Sequence, residues 1–189
     1  MSLTQERLVD LLDEIGLRHW DAADADLGVV VPFAVESITR PSILVHARVD
    51  GDGLIFSAMV TQFMKVPADH PHAELFMQAL LHEAYVTALG QWELDPSDGE
   101  VRVTVQLPLF GTEPTAKQVA RVVGAAAQLA ERAWPRLLSI LEHGEDPVLE
   151  KQGGGLGDDA KARELRRLQL RMQQLISSTR KDPDDKETN

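Results

Sequence analysis

The side chains best suited to chemistry in this sequence are histidines and a carboxylate grouped around residue 70. His70 and His72 stand beside Asp69, and His82 follows ten residues after His72. Imidazole and carboxylate groups can together hold zinc or another divalent cation. The spacing is poor for this purpose, because Pro71 fixes an extended geometry between the two neighbouring histidines. We therefore expect no metal and no other cofactor. The alternative is a metal- or small-ligand-binding protein that uses His70, His72 and His82.

The residue types needed for covalent catalysis are scarce or badly placed. The sequence contains no cysteine, which excludes thiolate nucleophiles, disulfides and cysteine metal sites. Ser42, Ser57 and Ser97 lack the Gly-x-Ser-x-Gly context of an activated serine. The glycine-rich residues 153–157 lack the lysine and hydroxyl residue of a phosphate-binding loop. We predict that the protein is not an enzyme.

The charge of the chain argues against two classes of partner. The formal net charge is -11, and residues 1–150 hold 10 Lys and Arg against 23 Asp and Glu. Such an acidic surface repels phosphate backbones, so we expect no nucleic-acid partner. No apolar run approaches the roughly 20 residues that a bilayer span needs, and the first residues do not resemble a signal segment. We therefore expect no membrane partner and a cytoplasmic location.

Two stretches with a period of two predict a pair of hairpins. The later one is the clearer, because aliphatic residues alternate with polar residues along a single strand. The aliphatic set is Val101, Val103, Val105 and Leu107, and the polar set is Arg102, Thr104 and Gln106. Residues 95–99 supply the turn before this strand. The earlier hairpin turns at residues 50–53, after an edge strand near residues 29–33.

Spacings of three and four predict three helices around these hairpins. The first carries Leu8, Leu11, Leu12 and Ile15, and residues 19–26 then form a solvated loop. The second runs from Ala73 to about Tyr85 with Phe76, Met77, Leu80 and Leu81 in its apolar stripe. The third is long, begins after Thr112 or Thr115, and carries a seam from Val119 to Leu137. Pro135 lies inside the third helix and predicts a bend or a break there.

Four short motifs between residues 88 and 138 resemble the YbjN-like proteins, which belong to the wider fold of type III secretion chaperones. The motifs are Gly90–Asp95, Asp98–Val103, Leu107–Leu109 and Ala133–Leu137. The resemblance implies a bacterial α+β protein with a mainly antiparallel sheet of about five strands and helices packed on it, in the order α-β-β-β-α-β-β-α. It also implies homodimers that hold segments of client proteins.

The composition divides the chain into a domain and a tail. We predict a YbjN-like domain at residues 1–146, a glycine-rich linker at 147–157, an amphipathic tail helix at 158–178 and a disordered end at 179–189. The residues beyond 150 carry 9 Lys and Arg against 7 Asp and Glu. An arginine-rich tail could therefore fold back on the acidic domain and compete with a client.

The predicted sheet has two faces and too few helices to cover both, so apolar strand surface should remain open to a partner. The candidate partner-binding residues on the strands are Phe56, Met59 and Trp92. Those on the last helix, beside Pro135, are Trp134, Leu137 and Leu141. We conclude from the sequence that the chain is a non-catalytic protein-binding module, adaptor or chaperone-like, that forms a homodimer.

Overall fold

A computed structural model describes residues 2–35 and 42–152 of the chain, without the side chains of Gln62 and of residues 150–152. The chain forms two compact units, Met1–Asp146 and Pro147–Asn189. Part of the predicted linker, residues 153–157, lies outside the described residues. The same holds for the predicted tail helix at 158–178 and for the end at 179–189.

The described elements are those of an α+β fold. In chain order they are α1 (Gln5–Glu14), β1 (Trp20–Asp21), β2 (Val29–Ala34), β3 (Ser42–Asp50), β4 (Ile55–Lys65), α2 (Ala73–Val86), β5 (Gln91–Leu94), β6 (Glu100–Pro108), α3 (Ala116–His143) and α4 (Pro147–Gln152). The strands form one sheet in the order β1-β2-β3-β4-β6-β5, and all neighbouring strands are antiparallel. The predicted fold class is confirmed.

Two short elements were not expected from the sequence. Trp20 and Asp21 pair with Val30 and Val29, so a two-residue strand lies within the segment predicted to be a loop. The helix α4 lies where the linker was predicted to begin, and it is the described part of the second unit. No helix among the described residues has the length and hydropathy needed to cross a membrane.

The core lies between one face of the sheet and the helices. Val101, Val103 and Val105 of β6 are fully buried and join one core with the seam of α3, where Val119 and Val123 are also fully buried. Burying a valine is worth about 1.5–3 kcal/mol relative to leaving it exposed, so this seam stabilises the fold. The predicted packing of the long helix on the alternating strand is confirmed.

The helix α3 is longer and more regular than the sequence suggested. Thr115 and Gln118 form a reciprocal capping box, in which Thr115 Oγ1 accepts from the Gln118 backbone N–H at 3.3 Å. The helix then continues through Pro135 to His143 and ends at Gly144, whose φ of 70° suits a left-handed cap. Of the bend or break predicted at Pro135, the break does not occur: the helix is continuous there, and Ala133 and Leu137 on either side are buried in the core.

The helix α2 lies beside α3 and β5 and buries only one of its faces. Ala73, Phe76, Ala79, Leu80 and Glu83 are its buried residues. The remaining positions of α2 include several large apolar side chains that face away from the core. This helix therefore determines much of what the first unit presents to solvent.

Candidate functional site

The three histidines considered as metal ligands do not converge. The rings of His70 and His72 lie 5.6 Å apart, and His70 Nδ1 accepts the backbone N–H of His72 at 3.2 Å. His82 lies ten residues further along α2, about 15 Å from His72 at the rise of an α-helix. Its Nδ1 lies 2.9 Å from Nη1 of Arg136, so a guanidinium N–H occupies the lone pair that a cation would need. Among the described residues, no group of three or more His, Cys, Asp or Glu could hold a metal ion.

His82 instead borders a buried ionic network that joins α2 to α3. Arg136 donates Nη1 to Glu83 Oε1 at 2.8 Å and forms two hydrogen bonds with Asp146. Burial opposes the positive charge of Arg136, but the hydrogen bonds to Asp146 and Glu83 outweigh it and raise the pKa of the guanidinium. Arg132 adds a second cation, 3.5 Å from Glu83 Oε2. The network therefore ties α2 to α3 through charged hydrogen bonds.

The six predicted partner-binding residues are divided among different environments. Phe56 and Leu137 are fully buried, which corrects their expected exposure, and neither can meet a partner in the folded chain. Trp92 and Trp134 are half-buried and pack edge-to-face on Phe63, with ring centroids 5.6 Å and 5.3 Å from its ring. Leu141 is half-buried against the core.

The sixth residue, Met59, lies on the open face of the sheet, opposite the helices. His46, Met59 and Thr104 form one row across β3, β4 and β6. Met59 is 7% exposed and lines a depression on this face together with Arg48, Glu93 and Arg102. Thr104 Oγ1 and His46 Nδ1 are both buried and make no hydrogen bond within the described part of the chain. Burial lowers the pKa of His46 below 6.5, which favours the neutral ring.

Among the described residues, the largest group of exposed apolar side chains lies on α2 and the loop after it. We call this group the α2 apolar face, and it consists of Met77, Leu81, Tyr85, Val86 and Leu89. Met77, Leu81 and Tyr85 are four residues apart and lie on one line along the helix. Tyr85 is 89% exposed and Leu81 71%. Large apolar side chains exposed to this degree are unusual on the solvent side of a helix, where polar residues are the rule.

An apolar groove of about 380 Å³ adjoins the N-terminal half of α2, between that helix and the β5–β6 turn. Phe76, Met77 and Leu94 form part of its apolar lining, and Asp95 and Asp98 lie at its border. Hydrogen bonds from Ser97 lower the pKa of Asp95, and a hydrogen bond from Lys65 lowers that of Asp98. Both carboxylates therefore carry negative charge at neutral pH.

A wider depression lies at the other end of the α2 apolar face. Val86 and Leu89 line it together with Leu129, Glu131 and Arg132 of α3. Arg132 is 58% exposed and pairs with Glu83, so this depression carries side chains of both charges.

The sequence contained part of the signal for this surface. The sequence places Met77 and Leu81 in one apolar stripe with Phe76 and Leu80. Periodicity alone does not decide which of these residues face the core, because apolar residues occur on both sides of α2. Tyr85, Val86 and Leu89 were not recognised as site residues.

Comparisons with known proteins find similarity in structure but not in sequence. No protein family and no curated protein matches the chain. YbjN from E. coli, a proposed transcription regulator, has a TM-score of 0.48 and 13% identity over 70% of this chain and 92% of its own. The HopA1–SchA chaperone–effector complex has a TM-score of 0.41 and 14% identity over 67% of this chain and 88% of that one. The ExoU–SpcU complex from the type III secretion system of Pseudomonas aeruginosa has a TM-score of 0.39 and 16% identity, over 70% and 96%.

Proposed function

We propose that this chain is a non-catalytic protein-binding module that forms a homodimer through the α2 apolar face. The observation that carries the proposal is the exposure of five large apolar residues on one helix and its following loop. Contiguous exposed apolar patches of this kind mark protein interaction sites. Removing one such side chain from water is worth about 1.5–3 kcal/mol, so five of them provide a substantial driving force for association.

The other properties of the chain agree with a protein partner. The excess of carboxylates in residues 1–150 disfavours nucleic acid and anionic membranes, as the sequence predicted. A cytoplasmic location is part of the same proposal, because a chain without cysteine has no need of an oxidising compartment. An adaptor or chaperone-like role follows if each copy of the dimer leaves its open sheet face available to a client.

Light scattering coupled to size exclusion tests the proposal through the mass of the particle. The wild-type chain should have a mass of about 42 kDa, twice the 20.9 kDa of one chain. Leu81→Glu should reduce the mass to that of one chain, because a charge at the centre of the apolar face must be desolvated in the dimer. The matched control is Leu54→Glu, since Leu54 is 49% exposed but lies in the β3–β4 turn. A wild-type chain that stays monomeric at all concentrations would contradict the proposal, and so would a Leu81→Glu variant that remains dimeric.

A further inference from the structure

The apolar groove beside the N-terminal half of α2 has the dimensions of a small-molecule site. Its volume of about 380 Å³ falls within the range of roughly 300–1,000 Å³ that is usual for such sites. Phe76, Met77 and Leu94 give it an apolar lining. Ala68 and Ala73 line it as well, and their small side chains leave the space that larger residues would fill.

The β5–β6 turn forms one side of this groove and is held in place by the backbone. The N–H of Gly99 donates to the carbonyl of Asp95 at 2.8 Å, and the N–H of Val66 donates to the carbonyl of Gly99 at 2.8 Å. The turn packs closely on the end of β4, because a Cβ added at Gly99 would lie 2.1 Å from the carbonyl oxygen of Val66. This side of the groove is therefore formed in advance, so little ordering of the turn opposes the binding of a ligand.

The charge that borders the groove is negative. Asp95 and Asp98 are the charged residues in its lining, and no lysine or arginine of the described chain joins them there. Asp98 is compensated from outside the groove, because its Oδ2 accepts a hydrogen bond from Lys65 Nζ at 2.9 Å. Asp95 is therefore the carboxylate that a ligand in the groove can use.

Asp95 has one carboxylate oxygen available for a ligand. Its Oδ1 accepts both the backbone N–H of Ser97, at 2.8 Å, and the hydroxyl of Ser97, at 2.6 Å. Its Oδ2 accepts no hydrogen bond from any residue that the structure describes. Arg102 is near enough to act on the charge of Asp95, but its guanidinium is paired with Glu93.

From this combination we propose that the groove binds a small molecule with an apolar ring or chain and one protonated amine. The apolar part lies against Phe76, Met77 and Leu94, and the ammonium group donates to Asp95 Oδ2. A hydrogen bond between an ammonium and a carboxylate is stronger than one between neutral groups. Anionic ligands are disfavoured because the aspartates repel them. All of the lining residues come from one copy, so this site goes beyond the proposed homodimer and does not depend on it.

An NMR titration of the full chain with three probes tests the proposal. The probes are phenethylamine, phenethyl alcohol and hydrocinnamate, which share an aromatic ring and differ in the charge of the other end. Phenethylamine should shift the amide signals of residues 66–68, 76–77 and 94–99. It should bind about threefold to fivefold more tightly than the alcohol, since Asp95 is exposed to solvent and exposed ion pairs are weak. Hydrocinnamate should bind most weakly.

Asp95→Asn tests the role assigned to the carboxylate. The amide keeps an oxygen that can accept from Ser97, but it has no charge. The variant should bind phenethylamine no more tightly than the alcohol, and its affinity for the alcohol should be that of the wild type. The matched control is Asp52→Asn, because Asp52 is an exposed aspartate in the β3–β4 turn, outside the groove. The control should bind all three probes as the wild type does.

Ala68→Trp tests the position of the site by filling the groove. It should weaken the binding of phenethylamine and of the alcohol at least about tenfold. Ala23→Trp is the matched control, since Ala23 is exposed in the loop before β2 and should accept tryptophan without a change in affinity. Dispersed amide signals in both variants verify that the chain is folded.

Three results would overturn the inference. The first is a lack of binding at about 10 mM phenethylamine, and the second is an equal affinity for phenethylamine and the alcohol. The third is a set of amide shifts that lies outside the groove or persists in Ala68→Trp. The mass of the particle, which tests the homodimer, does not enter this experiment.

Discussion

Arg136 and Asp146 form a buried two-point ion pair that ties the C-terminal third of α3 to the end of the first unit. Arg136 Nε lies 2.9 Å from Asp146 Oδ1, and Nη2 lies 2.7 Å from Oδ2. Both side chains are at most 6% exposed. Glu83 of α2 binds the same guanidinium from the other side, so one cation holds two helices and the following loop together.

Removing Asp146 should strongly destabilise the first unit. Asp146→Ala leaves the guanidinium of Arg136 buried with one carboxylate fewer, and breaking a buried ion pair costs about 3–5 kcal/mol. Urea unfolding followed by circular dichroism measures the change in the free energy of unfolding. The matched control is Glu113→Ala, which breaks the exposed pair with Arg7 and should cost under about 1 kcal/mol. Equal effects of the two variants would contradict this account.

The aromatic cluster around Phe63 should be a second determinant of stability. Phe63 is 1% exposed and contacts both Trp92 and Trp134 edge-to-face. Phe63→Ala should cost about 3–5 kcal/mol and alter the near-ultraviolet circular dichroism of the two tryptophans. Phe110→Ala is the matched control, because Phe110 is 90% exposed and its removal should change the stability by no more than about 0.5 kcal/mol.

Stability should depend on pH through His46. Because burial lowers the pKa of His46 in the folded chain below 6.5, the unfolded chain binds more protons at mildly acidic pH. The free energy of unfolding should therefore fall as the pH drops below about 6.5. His46→Gln removes the titrating group, so its unfolding midpoint should fall less than that of the wild type between pH 7 and pH 5. Parallel curves for the two proteins would contradict the assignment.

The β5–β6 turn, which borders the apolar groove beside α2, should tolerate no side chain at Gly99. Its φ is 76°, and an added Cβ would lie 2.1 Å from the carbonyl oxygen of Val66. Gly111 has nearly the same φ, 78°, but open space around it. In both alanine variants the left-handed conformation costs about 1–2 kcal/mol. Only Gly99→Ala adds a clash between the new Cβ and the carbonyl oxygen of Val66. Gly99→Ala should therefore lower the melting temperature more than Gly111→Ala, and equal shifts would show that the turn relaxes freely.

Local patterns were enough to predict the order of the elements. The alternation from Val101 to Leu107 and the seam of α3 each have a single period, and both features are found as expected. The strand β1 was missed because two residues, Trp20 and Asp21, are too short a stretch to show a period. The expected open apolar surface combined Phe56 with Met59, although residues three apart on a strand point to opposite faces.

The candidate site depends on contacts that no local pattern contains. Arg136 and Glu83 are 53 positions apart, so their ion pair exists only in the folded chain. The face that α2 presents to solvent is likewise decided by its packing on α3 and β5. Apolar residues occur on both sides of this helix, and only burial in the folded chain separates Phe76 from Met77.

Amide hydrogen exchange of the full chain at two protein concentrations tests the central claim most directly. If the α2 apolar face binds a second copy, exchange over residues 77–89 should slow when the concentration is raised through the dissociation constant of the dimer. Residues 109–112, which carry the exposed Phe110, should exchange at the same rate under both conditions. Protection that appears only outside α2, or a dimer in which α2 exchanges at an unchanged rate, would contradict the account.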